Sequence, residues 1–312
     1  MDKHAETPWF IEKKKGEDKM KLIRSRKGIS LLIAVVLTAL IAVGCGGGEE
    51  DEITVLRWGL IPADDATEML RQYEPIVDYL EEELDLEIEV EVTTDYTAAI
   101  LAMKYKHIDM AWFGPFSYVL AAEEAGAEAI VNGVRRDTGN STYRTIFITK
   151  AGSGIETLDD LRGHTFAFVD PASTSGHLIP MKILLENDIN PEDDFPTWYY
   201  AGTHNAVELA VKHGTVDAGA DSDTSYYRMV NAGEIDPEVN VIIHRSEPIP
   251  GSPIAVRGDL PQDLKDSIQQ ALINMDQQII YNVQGWGDIE KYVEVTDSDY
   301  NIIRETRDLL DL

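Results

Sequence analysis

The stretch Ile53–Thr94, ITVLRWGLIPADDATEMLRQYEPIVDYLEEELDLEIEVEVTT, sets the fold class. It opens with an apolar run, Ile53–Leu60, and closes with Glu87–Thr94, in which apolar and acidic residues alternate as in a half-buried strand. Spacing of three and four residues predicts a helix over Ala66–Leu84. Its expected apolar stripe consists of Met69, Leu70, Tyr73, Val77, Leu80 and Leu84.

The alternation of strands and helices continues along the chain. Further strand-like runs are Ile108–Trp112, Ala129–Val134, Tyr143–Thr149, His164–Val169, Val216–Ala220 and Val239–His244. Helical patterns follow over Gln262–Tyr281 and Tyr300–Leu312. Strands that alternate with helices indicate an α/β fold.

Two segments are typical of crossings between lobes. Arg144–Lys150 leads into a glycine-rich turn, and the prolines of Arg245–Pro253 favour an extended conformation. This pattern predicts a discontinuous first lobe, residues 53–144 plus 248–312, with a second lobe, residues 145–247, inserted in it.

The N-terminal region has the pattern of an export signal. A basic stretch precedes the apolar segment Ile29–Val43, which is short for a membrane span and typical of a signal-peptide core. Ala42-Val43-Gly44-Cys45 resembles a bacterial lipoprotein box, which implies cleavage before Cys45 and acylation of its thiol. The predicted segments are an upstream extension (1–19), a signal peptide opening at Met20 (20–45) and a linker (46–52). An uncleaved transmembrane anchor is the alternative.

Charge and motifs exclude several functions. The net charge of −29 argues against nucleic-acid and anionic-lipid partners, and it is consistent with adaptation to high salt. The lone cysteine excludes an intramolecular disulfide. Nucleophile-elbow, phosphate-loop, HExxH and dinucleotide motifs are absent from the sequence, and the histidines lack metal-ligand spacing. We therefore expect neither an enzyme nor a metal or cofactor site.

A hydroxyl cluster marks the candidate site. In Phe166–Leu178, FAFVDPASTSGHL, an apolar strand ends and Ser173, Thr174 and Ser175 open a helix. The free N–H groups and the dipole of a helix N-terminus favour anions, which Ser and Thr hydroxyls also bind. Ordinary N-capping by Ser173 or Thr174 explains the same pattern.

Five segments together resemble one known family, in its order and spacing. They are Asp109–Tyr118, Val169–Gly176, Gly202–Ala206, Asp217–Ala220 and Pro248–Pro253. The family is that of phosphate-, phosphite- and phosphonate-binding proteins, the periplasmic substrate-binding components of phosphonate-type ABC transporters. The resemblance implies a two-lobed periplasmic-binding-protein (type II) fold. Each lobe is expected to be a mixed sheet flanked by helices, and two crossing segments form the hinge.

The resemblance also implies which residues hold the phosphorus oxyanion. The candidates are Tyr96, Tyr143, Ser173, Thr174, Ser175, His204 and Asp221. Core packing is the alternative for the tyrosines, and a solvated loop acid for Asp221 or its neighbour Asp223. His177 is expected behind the site or at the surface. Ser252 stands where aminophosphonate-binding relatives carry an acid, which weakens the case for an aminophosphonate ligand.

These expectations define a function and its alternatives. The protein is expected to be lipid-anchored through Cys45 on the extracytoplasmic face of the cell membrane. There it would capture phosphonate, phosphite or phosphate and deliver it to an ABC permease and ATPase. The alternatives are a receptor that reports the ligand to a membrane signalling protein, and a site for another small anion such as a sulfonate.

Overall fold

The computed structural model describes residues 53–282 and 289–311. Its strands, in chain order, are β1 (Val55–Leu60), β2 (Glu87–Val92), β3 (Met110–Trp112), β4 (Ala127–Arg135), β5 (Thr142–Tyr143), β6 (Thr145–Lys150), β7 (Phe166–Phe168), β8 (Trp198–Tyr200), β9 (Ala218–Ser222), β10 (Asn240–Arg245), β11 (Ile249–Pro250), β12 (Pro253–Arg257) and β13 (Ile289–Glu294).

The helices connect these strands. They are α1 (Ala66–Leu84), α2 (Tyr96–Lys104), α3 (Pro115–Ala125), α4 (Ile179–Glu186), α5 (Pro191–Asp194), α6 (His204–His213), α7 (Asp223–Asn231), α8 (Gln262–Asn274), α9 (Gln277–Asn282) and α10 (Asn301–Leu309). A π-helical turn, Thr174–Leu178, leads directly into α4. Short 3₁₀ turns cover Asp159–Leu161 and Asp297–Tyr300.

The strands form two mixed sheets, one in each lobe. Within the described residues the first sheet has the order β13-β4-β12-β3-β1-β2, and the second has the order β10-β6-β9-β7-β8. In the first sheet β1 runs parallel to β2 and β3, whereas β12 and β13 run antiparallel to their neighbours. In the second sheet β7 is parallel to β8 and β9. This is the expected two-lobed type II fold.

A short ladder joins the two crossing segments. β5 pairs with β11 in antiparallel register, with Tyr143 opposite Ile249. The main chain of Gly251 lies close to this ladder and donates to the Ser141 carbonyl at 2.8 Å. A Cβ at Gly251 would stand 2.6 Å from both that carbonyl and the Asn132 side chain, so only glycine fits.

Sequence patterns predicted many of the elements, but not strands β8 and β12. Helix α1 fills the range within which a helix was predicted, and Met69, Tyr73 and Leu80 of the predicted stripe are buried. Leu70 is 40% exposed, and Ile76 is buried although it was not predicted to be. The single helix expected over Gln262–Tyr281 is divided in two, because Met275 is extended. The Asp276 carboxylate accepts from the Gln278 N–H in the first turn of α9, which begins at Gln277. Strand β13 was not predicted.

The predicted signal and lipoprotein box, including Cys45, lie outside the described residues. In the two ranges that are described, no helix combines the length and the apolar character needed to cross a bilayer.

Neighbouring residues of α1 offer a test of this packing. We expect Met69→Ala to lower the free energy of unfolding by about 2–5 kcal/mol, because Met69 is fully buried and its loss leaves a cavity. Leu70→Ala is the matched control and should cost about 0.5 kcal/mol or less, since Leu70 is exposed. Denaturant unfolding measures both values, and equal costs would contradict the described orientation of α1.

Candidate anion-binding site

A small cavity of about 70 Å³ lies between the lobes. A buried water needs roughly 10–15 Å³ of such volume, so this cavity has room for a group of several heavy atoms and not for a large molecule. Most of the residues that line it have polar side chains, and hydroxyls are the commonest polar group among them. Polar residues lining it are Tyr96, Asn132, Arg135, Ser141, Thr142, Tyr143, Ser173, Thr174, Ser175, His204, Ser222, Thr224 and Ser252.

Helix N-termini converge on this cavity from both lobes. In the described part of the chain, the cavity wall includes the N-cap or first-turn residues of five helices: Tyr96 of α2, Gly114 before α3, Thr174 of the π turn, His204 of α6 and Ser222 before α7. Strands β3, β7 and β9 lead toward these starts with their carboxyl ends. The dipoles of these helices therefore favour an anion in the cavity without a side-chain charge.

The hydroxyl cluster both caps its helix and reaches the opposite lobe. The Ser173 side chain accepts from the Gly176 N–H at 3.1 Å, so the N-cap expected as an alternative is present. The π turn needs glycine at position 176, because a Cβ there would stand 2.3 Å from Val169. The Thr174 hydroxyl accepts from the Phe116 N–H of α3 at 2.8 Å. Its own O–H can still donate to a further partner, such as the Tyr143 hydroxyl or a ligand.

Two buried tyrosines add neutral donors. Tyr96 begins α2 on the first lobe, and its hydroxyl lies 3.2 Å from Nε2 of His204 on the second. Tyr143 lies on β5, directly before the crossing segment Arg144–Lys150. Burial raises the pKa of both phenols, most strongly that of Tyr96. Hydrogen bonds with the hydroxyls of Thr174 and Ser175 lower the pKa of Tyr143 and so offset part of the rise that burial causes. Both phenols therefore stay protonated near neutral pH.

His204 links the cavity to a buried acid. Its Nδ1 is hydrogen-bonded to Oδ1 of Asp221, which is fully buried and also accepts from the Ser222 N–H at 2.6 Å. Burial, followed by the charge of Arg228, lowers the pKa of His204 to about 4. Burial raises the pKa of Asp221 above its usual range. His204 is therefore neutral near pH 7 and directs Nε2 toward Tyr96.

The permanent cation at the cavity is already neutralised. Among the described residues that line it, Arg135 alone carries such a charge. Its guanidinium donates to Asp137 at 2.7 Å and to Asp223 at 3.0 Å. The acids Asp223 and Asp137 thus balance this charge, and the site depends on short-range donors.

Buried contacts bridge the lobes beside the cavity. Asp64, which follows β1, forms an ion pair with Arg228 of α7 and accepts from the side chain of Asn205 on α6. The side chains of Asp64 and Arg228 are 5% and 12% exposed, so the pair is largely desolvated. With the bonds of Thr174 to Phe116 and of Tyr96 to His204, these contacts define a closed arrangement of the lobes.

The structure brings most of the predicted site residues together. Tyr96, Tyr143, His204 and the three hydroxyl residues Ser173–Ser175 all line the cavity. Asp221 lies behind His204 instead, and its contact with a ligand stays a prediction. His177 is not at the surface, because its ring is buried between the Pro171 carbonyl and the Tyr200 hydroxyl.

Sequence reasoning missed several residues of the site. Arg135, Ser222 and Thr224 line the cavity and were not predicted. Ser252, which the sequence singled out because it follows the Pro-Gly pair, also lines the cavity. Ser222 ends strand β9 and Thr224 follows it, much as the Ser173 cluster follows β7. Hydroxyl residues at the end of a strand were therefore the sequence pattern that could have identified Ser222 and Thr224. No cluster of three or more metal-ligating side chains occurs within the ranges covered by the structure.

Comparisons with known proteins agree with this geometry. The model of a family described as ABC transporter, phosphonate, periplasmic substrate-binding protein matches residues 58–300. The phosphate-import protein PhnD of Mycolicibacterium smegmatis is 27% identical over 92% of this chain and 97% of its own length. The phosphonates-binding periplasmic protein of Escherichia coli is 28% identical over 72% of this chain and 67% of its own length.

Solved structures show the same fold. PhnD1 from Prochlorococcus marinus, in complex with methylphosphonate, superposes with a TM-score of 0.75 at 20% identity, covering 83% of this chain and 98% of that one. The family match over most of the chain identifies a substrate-binding protein of an ABC importer and not an enzyme. The chain belongs to the family of periplasmic substrate-binding proteins of phosphonate ABC transporters.

The ion pair between the lobes leads to a second prediction. We expect Arg228→Met to favour an open arrangement of the ligand-free protein, because it leaves the buried Asp64 charge without its partner. A lost bond to a charged group is worth about 1.5–3 kcal/mol, so the ratio of open to closed forms should rise about tenfold or more. Small-angle X-ray scattering should record a larger radius of gyration.

Arg71→Met is the matched control, since Arg71 is an exposed helical arginine paired with Glu68 on the surface of α1. It should leave the radius of gyration unchanged. An unchanged radius in Arg228→Met as well would show that this ion pair does not hold the lobes together.

Proposed function

We propose that the protein binds a small phosphorus oxyanion, namely phosphonate, phosphite or phosphate, in the cavity between its lobes. The ligand contacts are assigned to the hydroxyls of Tyr96, Tyr143 and Ser173–Ser175 and to the His204 imidazole. One observation carries this proposal: neutral donors and helix N-termini from both lobes surround a single small cavity.

Size and charge both favour such a ligand. A cavity of about 70 Å³ suits a tetrahedral anion of a few heavy atoms, and the convergent N–H and O–H groups match its oxygens. Each hydrogen bond to a charged group contributes about 1.5–3 kcal/mol, so four or five give micromolar binding, about −8 kcal/mol, after the cost of association. The protein's net charge of −29 works against long-range attraction of an anion, so the site relies on short-range donors.

The position of Ser252 bears on the choice of anion. Its side chain lines the cavity, where an acid would be needed to hold a ligand amine. A neutral hydroxyl offers an amine no charge partner, which disfavours aminophosphonates. Relatives named for phosphate import and for phosphonates, and one bound to methylphosphonate, support the remaining class of ligands.

Calorimetric titration at high salt tests the proposal. The panel is phosphite, methylphosphonate, phosphate, aminoethylphosphonate and sulfate. We expect tight binding of at least one of the first three and weaker binding of the aminophosphonate. Binding of sulfate alone, or of none of the phosphorus anions, would contradict the proposed class of ligand.

Thr174→Ala is the variant that tests the site itself. It removes one donor and should weaken binding of the preferred anion about 10- to 100-fold, because a hydrogen bond to a charged ligand is lost. Thr197→Ala is the control, since Thr197 is exposed on the same lobe and does not line the cavity. Equal affinities of the two variants would contradict the role of Thr174.

We also propose that the mature protein is attached to the outer face of the cell membrane by acylation of Cys45 and passes its ligand to the permease of an ABC importer. The lipoprotein box and the polar linker after it support this assignment. Stable anchoring of a lipoprotein needs several acyl chains, and without the Cys45 thiol they cannot be attached. Cys45→Ser should therefore release the protein into the soluble fraction on cell fractionation. Retention of that variant in the membrane would contradict the lipid anchor.

A further inference from the structure

A second buried acid lies behind the His204–Asp221 pair. Glu208 is on α6, one turn after His204, and is fully buried. Its Oε2 accepts from the Asn240 side chain at 2.7 Å. The Glu208 carboxyl also lies near enough to the carboxyl of Asp221 for the two groups to interact directly. Two acids are therefore in contact in a site closed to water.

The remaining oxygens of this pair indicate where a proton is. Within residues 53–282 and 289–311, neither Oε1 of Glu208 nor Oδ2 of Asp221 receives a donor, although both are buried. A carboxylate oxygen without a donor is costly in such a place. One proton between these two oxygens satisfies both at once, because one carboxyl then donates and the other accepts.

We propose that Glu208 is a positioning residue for the anion site, which shares one proton with Asp221 and thereby keeps His204 neutral with its N–H on Nδ1. Asp221 then carries a single negative charge. It accepts from Ser222 and His204 through Oδ1 and from Glu208 through Oδ2. In this arrangement Nε2 of His204 faces the cavity as an acceptor.

Charges around the pair agree with one shared proton. Burial raises the pKa of Glu208 well above its usual value, and the charge of Asp221 adds to the shift. The arginine near the pair is already bonded to Asp64. Four titratable or charged groups act on the pair, on α6 itself and on the surrounding elements: His204, Asp223, Tyr226 and Arg228. Asp64 and Asp170 act on His204. Since most of these groups are acids or neutral, a second negative charge is strongly disfavoured.

This arrangement has a consequence for the ligand, which rests on the proposed function. The Tyr96 hydroxyl and Nε2 of His204 hold one proton between them, 3.2 Å apart. If Tyr96 donates this proton to a bound oxyanion, Nε2 of His204 is left without a donor. A ligand that carries a hydroxyl group can then donate to Nε2. The site should therefore favour the singly protonated form of a phosphorus oxyanion.

Glu208→Gln tests the shared proton without any ligand. The amide copies the neutral acid, since its oxygen can accept from Asn240 and its N–H can donate to Asp221. In the wild type, the native state keeps one proton on the Glu208–Asp221 pair, whereas Glu208 of the unfolded chain loses its proton above about pH 4.3. The native state therefore binds one more proton than the unfolded state, and it should lose stability as pH rises. From pH 5 to pH 7, the unfolding equilibrium constant of the wild type should rise about tenfold per pH unit relative to that of Glu208→Gln.

Denaturant unfolding of both proteins at pH 5, 6 and 7 measures this ratio, with Glu305→Gln as the control at an exposed position of α10. The control should differ from the wild type by the same factor at every pH. A ratio for Glu208→Gln that is also independent of pH would mean that the pair holds no shared proton and would overturn the proposal.

Nitrogen-15 spectra of the histidine rings supply an independent readout. His204 should keep the neutral Nδ1–H form near pH 7 in the wild type and in Glu208→Gln. An imidazolium or an Nε2–H form in the ligand-free wild type would contradict the positioning role. Both experiments omit the anion, so the inference about Glu208 can fail while the proposed function holds, and the reverse is also true.

Discussion

Helix N-termini that meet at one cavity are the constraint on which the rest of this structure depends. The strands β3, β7 and β9 lead to the starts of α3, α4 with its π turn, and α7, so the carboxyl edges of the two sheets face each other across the hinge. Ligands of open α/β sheets bind at such edges. The crossing segments, paired as β5 and β11, hold the two edges close enough to surround a small ligand.

The acidic composition explains why the site is built from neutral donors. A permanent cation would be the usual partner of an anion, but Arg135 is already paired with Asp137 and Asp223. Main-chain N–H groups, hydroxyls and dipoles act only over a few ångströms, and they lose little to salt because they are buried. The site can therefore work in a protein of net charge −29 and at high ionic strength.

The fold and part of the site could be predicted from local patterns. Alternation located β1, α1 and β2, and the cluster Ser173–Ser175 was visible as hydroxyls after an apolar strand. Tyr96 and Tyr143 came from the family resemblance alone, since 13 tyrosines offer no local distinction. The bond of Asp64 to Arg228 joins residues far apart in sequence, so no periodicity predicts it.

A crystal structure with methylphosphonate bound tests the central claim most directly. We expect the phosphorus atom to lie in the cavity between the lobes. Its oxygens should lie within hydrogen-bonding distance of the Tyr96, Tyr143 and Thr174 hydroxyls and of helix N–H groups, with Arg135 still paired to Asp223. An anion bound outside this cavity, or held chiefly by lysine or arginine side chains, would contradict it.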